Sequence, residues 1–232
     1  MDFFPRMNQL DSGGRMADRF QNRRTAGIEL ARELHAYAND PHALVLALPR
    51  GGVPVAYEIA RALNLPLDVF IVRKLGVPGY EELALGAIAS GGVRVLNDEV
   101  VRRTGISPAQ IEKVAQREQQ EIQRREWEYR GDLPPLNVRG KTVTLIDDGL
   151  ATGATMHAAV EALRQSGADR IVVAVPVGST DACERIAREA DELICPLQPY
   201  DFEAVSAWYL DFSQTSDEEV HELLAERVHA PT

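Results

Sequence analysis

The chain has 232 residues, of which 45% are hydrophobic and 26% charged, a balance that supports a packed α/β core and excludes a mainly disordered chain. Its 25 Lys and Arg against 35 Asp and Glu give a formal charge of −10, which speaks against nonspecific binding to nucleic-acid phosphates, held as these are by clustered cations. Two cysteines, Cys183 and Cys195, are too few for a disulfide framework or a multi-cysteine zinc site, and they read as small buried apolar residues.

No apolar run approaches the length that crosses a bilayer, and the start, Met1 to Arg6, lacks the apolar stretch of a signal peptide. A cytoplasmic protein is the expectation. Residues 1–15 carry no period and are expected to form a flexible tail, with residues 16–232 as a single domain. Ile28, Leu30, Ala31 and Leu34 predict an amphipathic helix over Thr25 to Tyr37, ended by Asn39-Asp40-Pro41. Leu44 to Leu48 is a short continuous apolar run, expected as a buried strand that enters the glycine turn Pro49-Arg50-Gly51-Gly52. A helix from Pro54 to Leu63 and a second buried strand from Leu67 to Val72, ending at Arg73-Lys74, complete a βαβ unit. Gly76 to Leu85 has no firm pattern and is expected to be a mobile loop. Ala87 to Ala89 and Val93 to Leu96 flank Ser90-Gly91-Gly92 and predict a hairpin.

Ser107, Pro108 and Gln110 form a helix-start signature, and the densely charged helix behind it, to about Tyr129, is expected to lie solvated on the surface. Val143 to Ile146 is the next buried strand. It is followed by Asp147-Asp148-Gly149-Leu150-Ala151-Thr152-Gly153-Ala154-Thr155 and a helix that Ser166-Gly167 stops near Gln165. A strand over Ile171 to Val177, a helix capped by Asp181 and running to Glu189, and Leu193 to Cys195 close the regular pattern. The aromatic stretch Leu197 to Phe212 is expected to form an irregular cap. The alternation predicts an α/β fold with a doubly wound, mostly parallel sheet flanked by helices and a helical insertion at about 97–130.

The segment from Val143 to Thr155 carries the chemistry. A buried strand delivers two carboxylates at its end, and a turn of small and hydroxyl residues then opens a helix whose first N–H groups have no intrahelical partner. Such amides bind phosphate without a cationic side chain. Paired acids beside a phosphate are repulsive unless they accept hydrogen bonds from neutral hydroxyls. A phosphorylated sugar meets both needs, with its phosphate in the turn and its vicinal diol on Asp147 and Asp148, beyond the carboxyl ends of the strands.

Four apolar strand residues, two acids, three small or apolar residues and then Thr-Gly-x-Thr resemble the signature of type I phosphoribosyltransferases for 5-phosphoribosyl-1-pyrophosphate (PRPP). The resemblance implies that Asp147 and Asp148 hold the ribose hydroxyls and that Ala151, Thr152, Gly153, Ala154 and Thr155 hold the 5′-phosphate. Leu48 to Gly52 is similar to the family's pyrophosphate loop, giving Arg50, Gly51 and Gly52 that role. Arg73 and Lys74 are similar to a basic pair placed near the pyrophosphate, although a pair at a strand end is often only solvated. Gly76 to Glu82 matches the family's catalytic loop, and with it the resemblance assigns Arg50, Lys74 and Glu81 to catalysis. The aromatic stretch is similar to the family's small hood, here mainly at about 196–215, with Tyr200, Phe202, Trp208 and Tyr209 as acceptor-binding candidates or as core.

By the same resemblance the activity is transfer of the phosphoribosyl group to a nitrogenous acceptor in nucleotide metabolism, with release of pyrophosphate. Mg²⁺ is the expected cofactor, held mainly by PRPP with no direct protein ligand. Members are commonly dimers or tetramers, so a homo-oligomer is the expectation, with no nucleic-acid or membrane partner. Ala151 stands where some purine-using members carry an acid, and Val175 to Ser179 lacks the lysine of many 6-oxopurine enzymes. Adenine, a pyrimidine or an unusual nitrogen acceptor stay open. A PRPP-binding regulatory protein, or an enzyme acting otherwise on a related sugar phosphate, stays open beside the transferase.

Overall fold

Runs with little or no polar character, such as Leu44 to Leu48 and Val143 to Ile146, where Thr144 is the one hydroxyl residue, must lie in a sheet covered on both sides. The computed structural model, which describes residues 19–226, has that arrangement. Five parallel strands run in the order β2 (Leu67–Val69), β1 (Ala43–Ala47), β6 (Thr142–Ile146), β7 (Arg170–Ala174) and β8 (Glu192–Ile194). Val45 and Ala47 face one core with helices α1 (Arg23–Glu33) and α2 (Gly52–Leu63), while Leu44 and Leu46 face the other with α5 (Ala154–Gln165) and α6 (Thr180–Glu189). The sheet is therefore doubly wound, as expected. Strand order reverses between β1 and β6, so the loops leaving these two strands diverge and open a crevice between them. The expected tail at residues 1–15 lies outside the described residues.

A second sheet of three antiparallel strands, β3 (Val72–Val77), β4 (Tyr80–Ala89) and β5 (Arg94–Leu96), corrects two expectations. The strand predicted over Leu67 to Val72 is divided. Ser90 accepts the Ile71 N–H at its Oγ (3.0 Å) and donates its own N–H to the Ile71 carbonyl (2.8 Å), so the backbone leaves the parallel sheet there. The segment Gly76 to Leu85, expected as a mobile loop, is a paired hairpin. Register shifts at Leu75/Gly76 and Gly76/Val77 break the alternation by which a strand is recognised.

Helices α3 (Asp98–Thr104) and α4 (Pro108–Arg130) occupy the predicted insertion, and Ser107 with Gln110 closes the capping box. The α4 helix is not merely solvated: Ala115, Ile122 and Tyr129, seven residues apart, enter the main core as a narrow seam. Ser179, not Asp181, caps α6, because its hydroxyl accepts from the Ala182 N–H. A helix that the pattern reading passed over, α7 (Asp217–Ala225), packs Val220, Leu223 and Leu224 into the same core. Among the described residues no helix is long and apolar enough to cross a membrane.

Candidate functional site

The buried strand β6 ends at the crevice, and the chain from Asp147 to Gly153 must turn there to start α5. Gly153 takes φ +74°, a left-handed conformation that β-carbon residues rarely adopt, and no side chain caps the helix behind it. The turn is fixed from one side through its carbonyls. Ser179 Oγ donates to the Ala151 carbonyl at 2.7 Å, and Arg185 donates to that of Thr152 at 3.3 Å. The N–H groups are left without protein partners: among the described residues those of Ala151, Thr152, Gly153 and Thr155 find no acceptor, and Ala154 has only a 3.4 Å contact to Thr152 Oγ1. Four or five free donors at a helix N-terminus form an anion cradle.

At the lip of this cradle the two acids have different surroundings. Asp147 accepts the Asp148 N–H at 2.9 Å, and burial, reinforced by the neighbouring Asp148 charge, holds its carboxyl well above the usual range. Asp148 is also raised by burial, but Arg23 opposes the shift by donating from Nε to Oδ2 at 2.7 Å. Both side chains of this pair are nearly enclosed, at 11% and 15% exposure. The glycine turn after β1 packs directly on the acids. A β-carbon at Gly51 would stand 2.0 Å from Asp148 Oδ2, and one at Gly52 would stand 3.0 Å from the Asp147 Cα. Only glycines allow this approach, which brings the two loops of the crevice into one site.

The remaining predicted residues divide into those near the cradle and those away from it. Arg50 leans toward Asp217 of α7 at 3.7 Å and is one-third exposed. Lys74 lines a cavity of about 600 Å³ that also takes in Ala154, Thr155, His157 and Arg185, so it shares that space with the mouth of α5. Arg73, one position earlier on β3, faces the opposite way and pairs with the buried Glu118 of α4 at 2.8 Å. Glu81 lies in a groove with Lys113 and Arg117 of α4 and is not brought to the cradle. Of the aromatic candidates, Tyr200 is fully exposed and Tyr209 is buried, with its hydroxyl donating to the Asp148 carbonyl at 2.6 Å. Phe202 and Trp208 are half-buried and pack with Tyr209 around Phe20 and Val177. Tyr209 thus braces the acid pair from behind.

Sequence reasoning missed Arg23, Ser179 and Arg185 as parts of the site. Ser179 and Arg185 carry no phosphate-site pattern, and Arg23 lies 125 positions from its carboxylate partner. Nothing local marks such residues.

Comparison with known proteins agrees with this geometry. The family described as phosphoribosyl transferase domain matches residues 17–211. Two Mycobacterium tuberculosis proteins that carry phosphoribosyl transferase as a provisional name are 47% identical over 210 residues, which covers 90% of this chain and 47% of theirs. The chain spans about half the length of these curated relatives. A Pyrococcus furiosus ribose-phosphate pyrophosphokinase is 42% identical over 65 residues, 26% of this chain and 23% of its own. Among solved structures, the protein TT1426 of Thermus thermophilus is 44% identical, covers 90% of this chain and 98% of its own, and superposes with a TM-score of 0.80.

Proposed function

The chain belongs to the phosphoribosyl transferase domain family, and from that premise we propose that it binds PRPP in the crevice and transfers the phosphoribosyl group to a nitrogenous acceptor. The single observation that carries this reading is the row of unpartnered amides at the start of α5 with two carboxylates at its lip. The amides take the 5′-phosphate, and Asp147 and Asp148 accept hydrogen bonds from the ribose diol. Gly51 and Gly52, packed against those acids, place their own loop over the anomeric end, where Arg50 meets the diphosphate. Lys74, across the cavity from Thr155, adds a second cation to a chain that is acidic overall.

In the reaction, the bond from the anomeric carbon to the diphosphate oxygen breaks and its electron pair leaves with pyrophosphate. The acceptor nitrogen supplies the pair for the new C–N bond and loses its proton. The sugar carries positive charge in passage, so the chain's work is to hold the two reactants in line and to stabilise the leaving anion. A metal would arrive with its ligand in this reading. Mg²⁺ on the diphosphate and ribose oxygens would supply the remaining charge neutralisation.

Pyrophosphate release is to be measured with PRPP, Mg²⁺ and a panel of adenine, pyrimidines and simple amines, beside calorimetric binding of PRPP. Release with one acceptor supports the transferase. Tight binding without release from any acceptor would make the protein a PRPP sensor, and absence of binding would overturn the reading altogether.

A further inference from the structure

Arg23 sits where four parts of the molecule meet. It comes from the first turn of α1, and its Nε donates to Asp148 at 2.7 Å. Its Nη1 donates to the Ser213 carbonyl at 2.7 Å, and its guanidinium lies 3.8 Å above the centre of the Phe212 ring. Its Nε is also 3.3 Å from where a Gly51 β-carbon would stand, so it touches the turn after β1. An arginine this enclosed, spending its donors on one carboxylate oxygen and one carbonyl, is not a surface ion pair. Phe212 stacks on Tyr209 at 5.1 Å between ring centres, and Tyr209 holds the Asp148 backbone carbonyl. Asp148 is therefore gripped at its carboxylate by α1 and at its carbonyl by the aromatic cap.

Resting on the PRPP reading above, we propose that Arg23 is a positioning residue: through its contact with Oδ2 it favours the charged form of Asp148 and aims it so that the remaining carboxylate oxygen, Oδ1, receives a ribose hydroxyl. The chemistry requires such a partner. Two buried acids in succession repel each other, and the pair retains a proton unless a fixed cation offsets one of them. A protonated acid still hydrogen-bonds, but it loses the charge assistance that makes a carboxylate a strong acceptor of a diol. Arg23 engages Asp148 Oδ2 and the Asp148 N–H engages Asp147 Oδ1, which leaves one oxygen of each carboxylate to the ligand. The other titratable groups facing Asp148 are Asp147 beside it and Tyr209 on the cap side, whose own neighbour is Cys195, while Arg50 of the glycine turn pairs with Asp217. Asp211 stands within the field of Arg23 on the outer side. Among these, Arg23 alone is both cationic and in contact with the acid pair.

The test compares Arg23→Lys and Arg23→Met in the full chain, each shown to be folded by circular dichroism. The first measurement needs no ligand: carbon-13 NMR of the aspartate carboxyls against pH. Arg23→Met is expected to move the titration of the acid pair to higher pH, and Arg23→Lys to restore most of it. The second is PRPP affinity, measured with Mg²⁺ from pH 6 to pH 9. Arg23→Met is expected to bind roughly tenfold more weakly at neutral pH and to recover as pH rises, because deprotonation regenerates the carboxylate. Arg23→Lys is expected to bind nearly as the parent does. A folded Arg23→Met protein with an unchanged carboxyl titration overturns the proposal, as does an affinity loss that neither pH nor Lys relieves. If the parent itself fails to bind PRPP, the PRPP reading falls while the carboxyl titration still decides what Arg23 does to Asp148.

Discussion

The turn from Asp147 to Ala154 leads into the start of α5, which borders one cavity with the ribbon from Val72 to Leu96, yet turn and ribbon are built by opposite rules. In the turn, neighbours in sequence are neighbours in space: strand, acids, glycine and helix follow one another, and the amides without acceptors fall in one short run of the chain. In the ribbon, neighbours in sequence point apart, because side chains alternate between the faces of a strand. Arg73 goes to the buried Glu118, and Lys74 goes to the cavity beside Thr155. A basic dipeptide therefore supplies one structural cation and one candidate ligand cation. Chemistry that resides in a turn is visible as a motif, and chemistry that resides on a strand is visible only once its face is known.

The largest effect tests the turn. Replacing both acids, Asp147→Asn with Asp148→Asn, is expected to weaken PRPP binding by on the order of 100-fold or more, since two charge-assisted hydrogen bonds are lost, while the circular dichroism spectrum stays that of the parent. Unchanged affinity in a calorimetric titration would remove the acids from the site. The ribbon is tested next, by splitting its dipeptide. Lys74→Ala is expected to cost about tenfold in PRPP affinity with little change in melting temperature. Arg73→Ala is expected to do the reverse, losing about 2 kcal/mol of stability because Glu118 stays buried with only the exposed Arg117 as partner. Equal effects from both substitutions would show that the two side chains do not divide as the alternation requires.

The same contrast governs what could be read in advance. The parallel sheet and the cradle were legible because continuous apolar runs, a doubled acid and a Thr-Gly-x-Thr turn are local patterns. The hairpin was not, because two register shifts within Leu75 to Val77 erase its alternation. The departure of the chain from the parallel sheet depends on Ser90, nineteen positions from Ile71, which no window of a few residues can weigh. The α7 helix is a different case. Ser216 as cap, three acids in its first turn, and Val220, Leu223 and Leu224 at helical spacing were present in the sequence and sufficient to find it. Arg23 had no such signal, since an arginine pair, Arg23-Arg24, in the first turn of a helix reads as solvated. Tyr209 was legible only as a choice between acceptor wall and core; in the structure it is buried and its hydroxyl donates to the Asp148 carbonyl.

Two smaller effects separate the acid pair from its supports. Burial raises the carboxyl of Asp147 above its unfolded range, so the folded chain binds more protons than the unfolded chain between those two limits. Stability must then fall as pH rises through that window, and the destabilisation is fully present above it. Asp147→Asn removes this penalty. Differential scanning calorimetry is expected to show a melting temperature a few degrees higher at neutral pH and a flatter dependence from pH 4 upward, together with weaker PRPP binding. A lower melting temperature at every pH would mean that the carboxylate is a structural acceptor and not a group held at a cost for its ligand.

The smallest effect belongs to the brace. Tyr209→Phe keeps the ring against Phe20 and Phe212 and deletes only the hydroxyl that donates to the Asp148 carbonyl at 2.6 Å. A single neutral hydrogen bond contributes about 1 kcal/mol, so the melting temperature should fall by roughly 2–4 °C. Lost stability alone would mark Tyr209 as an ordinary member of the aromatic cluster. If it orients Asp148, PRPP affinity must fall as well, by about threefold to tenfold, because the carboxylate would then sample directions in which a diol cannot reach it. Isothermal titration calorimetry on Tyr209→Phe at a temperature well below its melting point separates the two outcomes, since the protein is then fully folded and any loss of affinity reports on the acid alone.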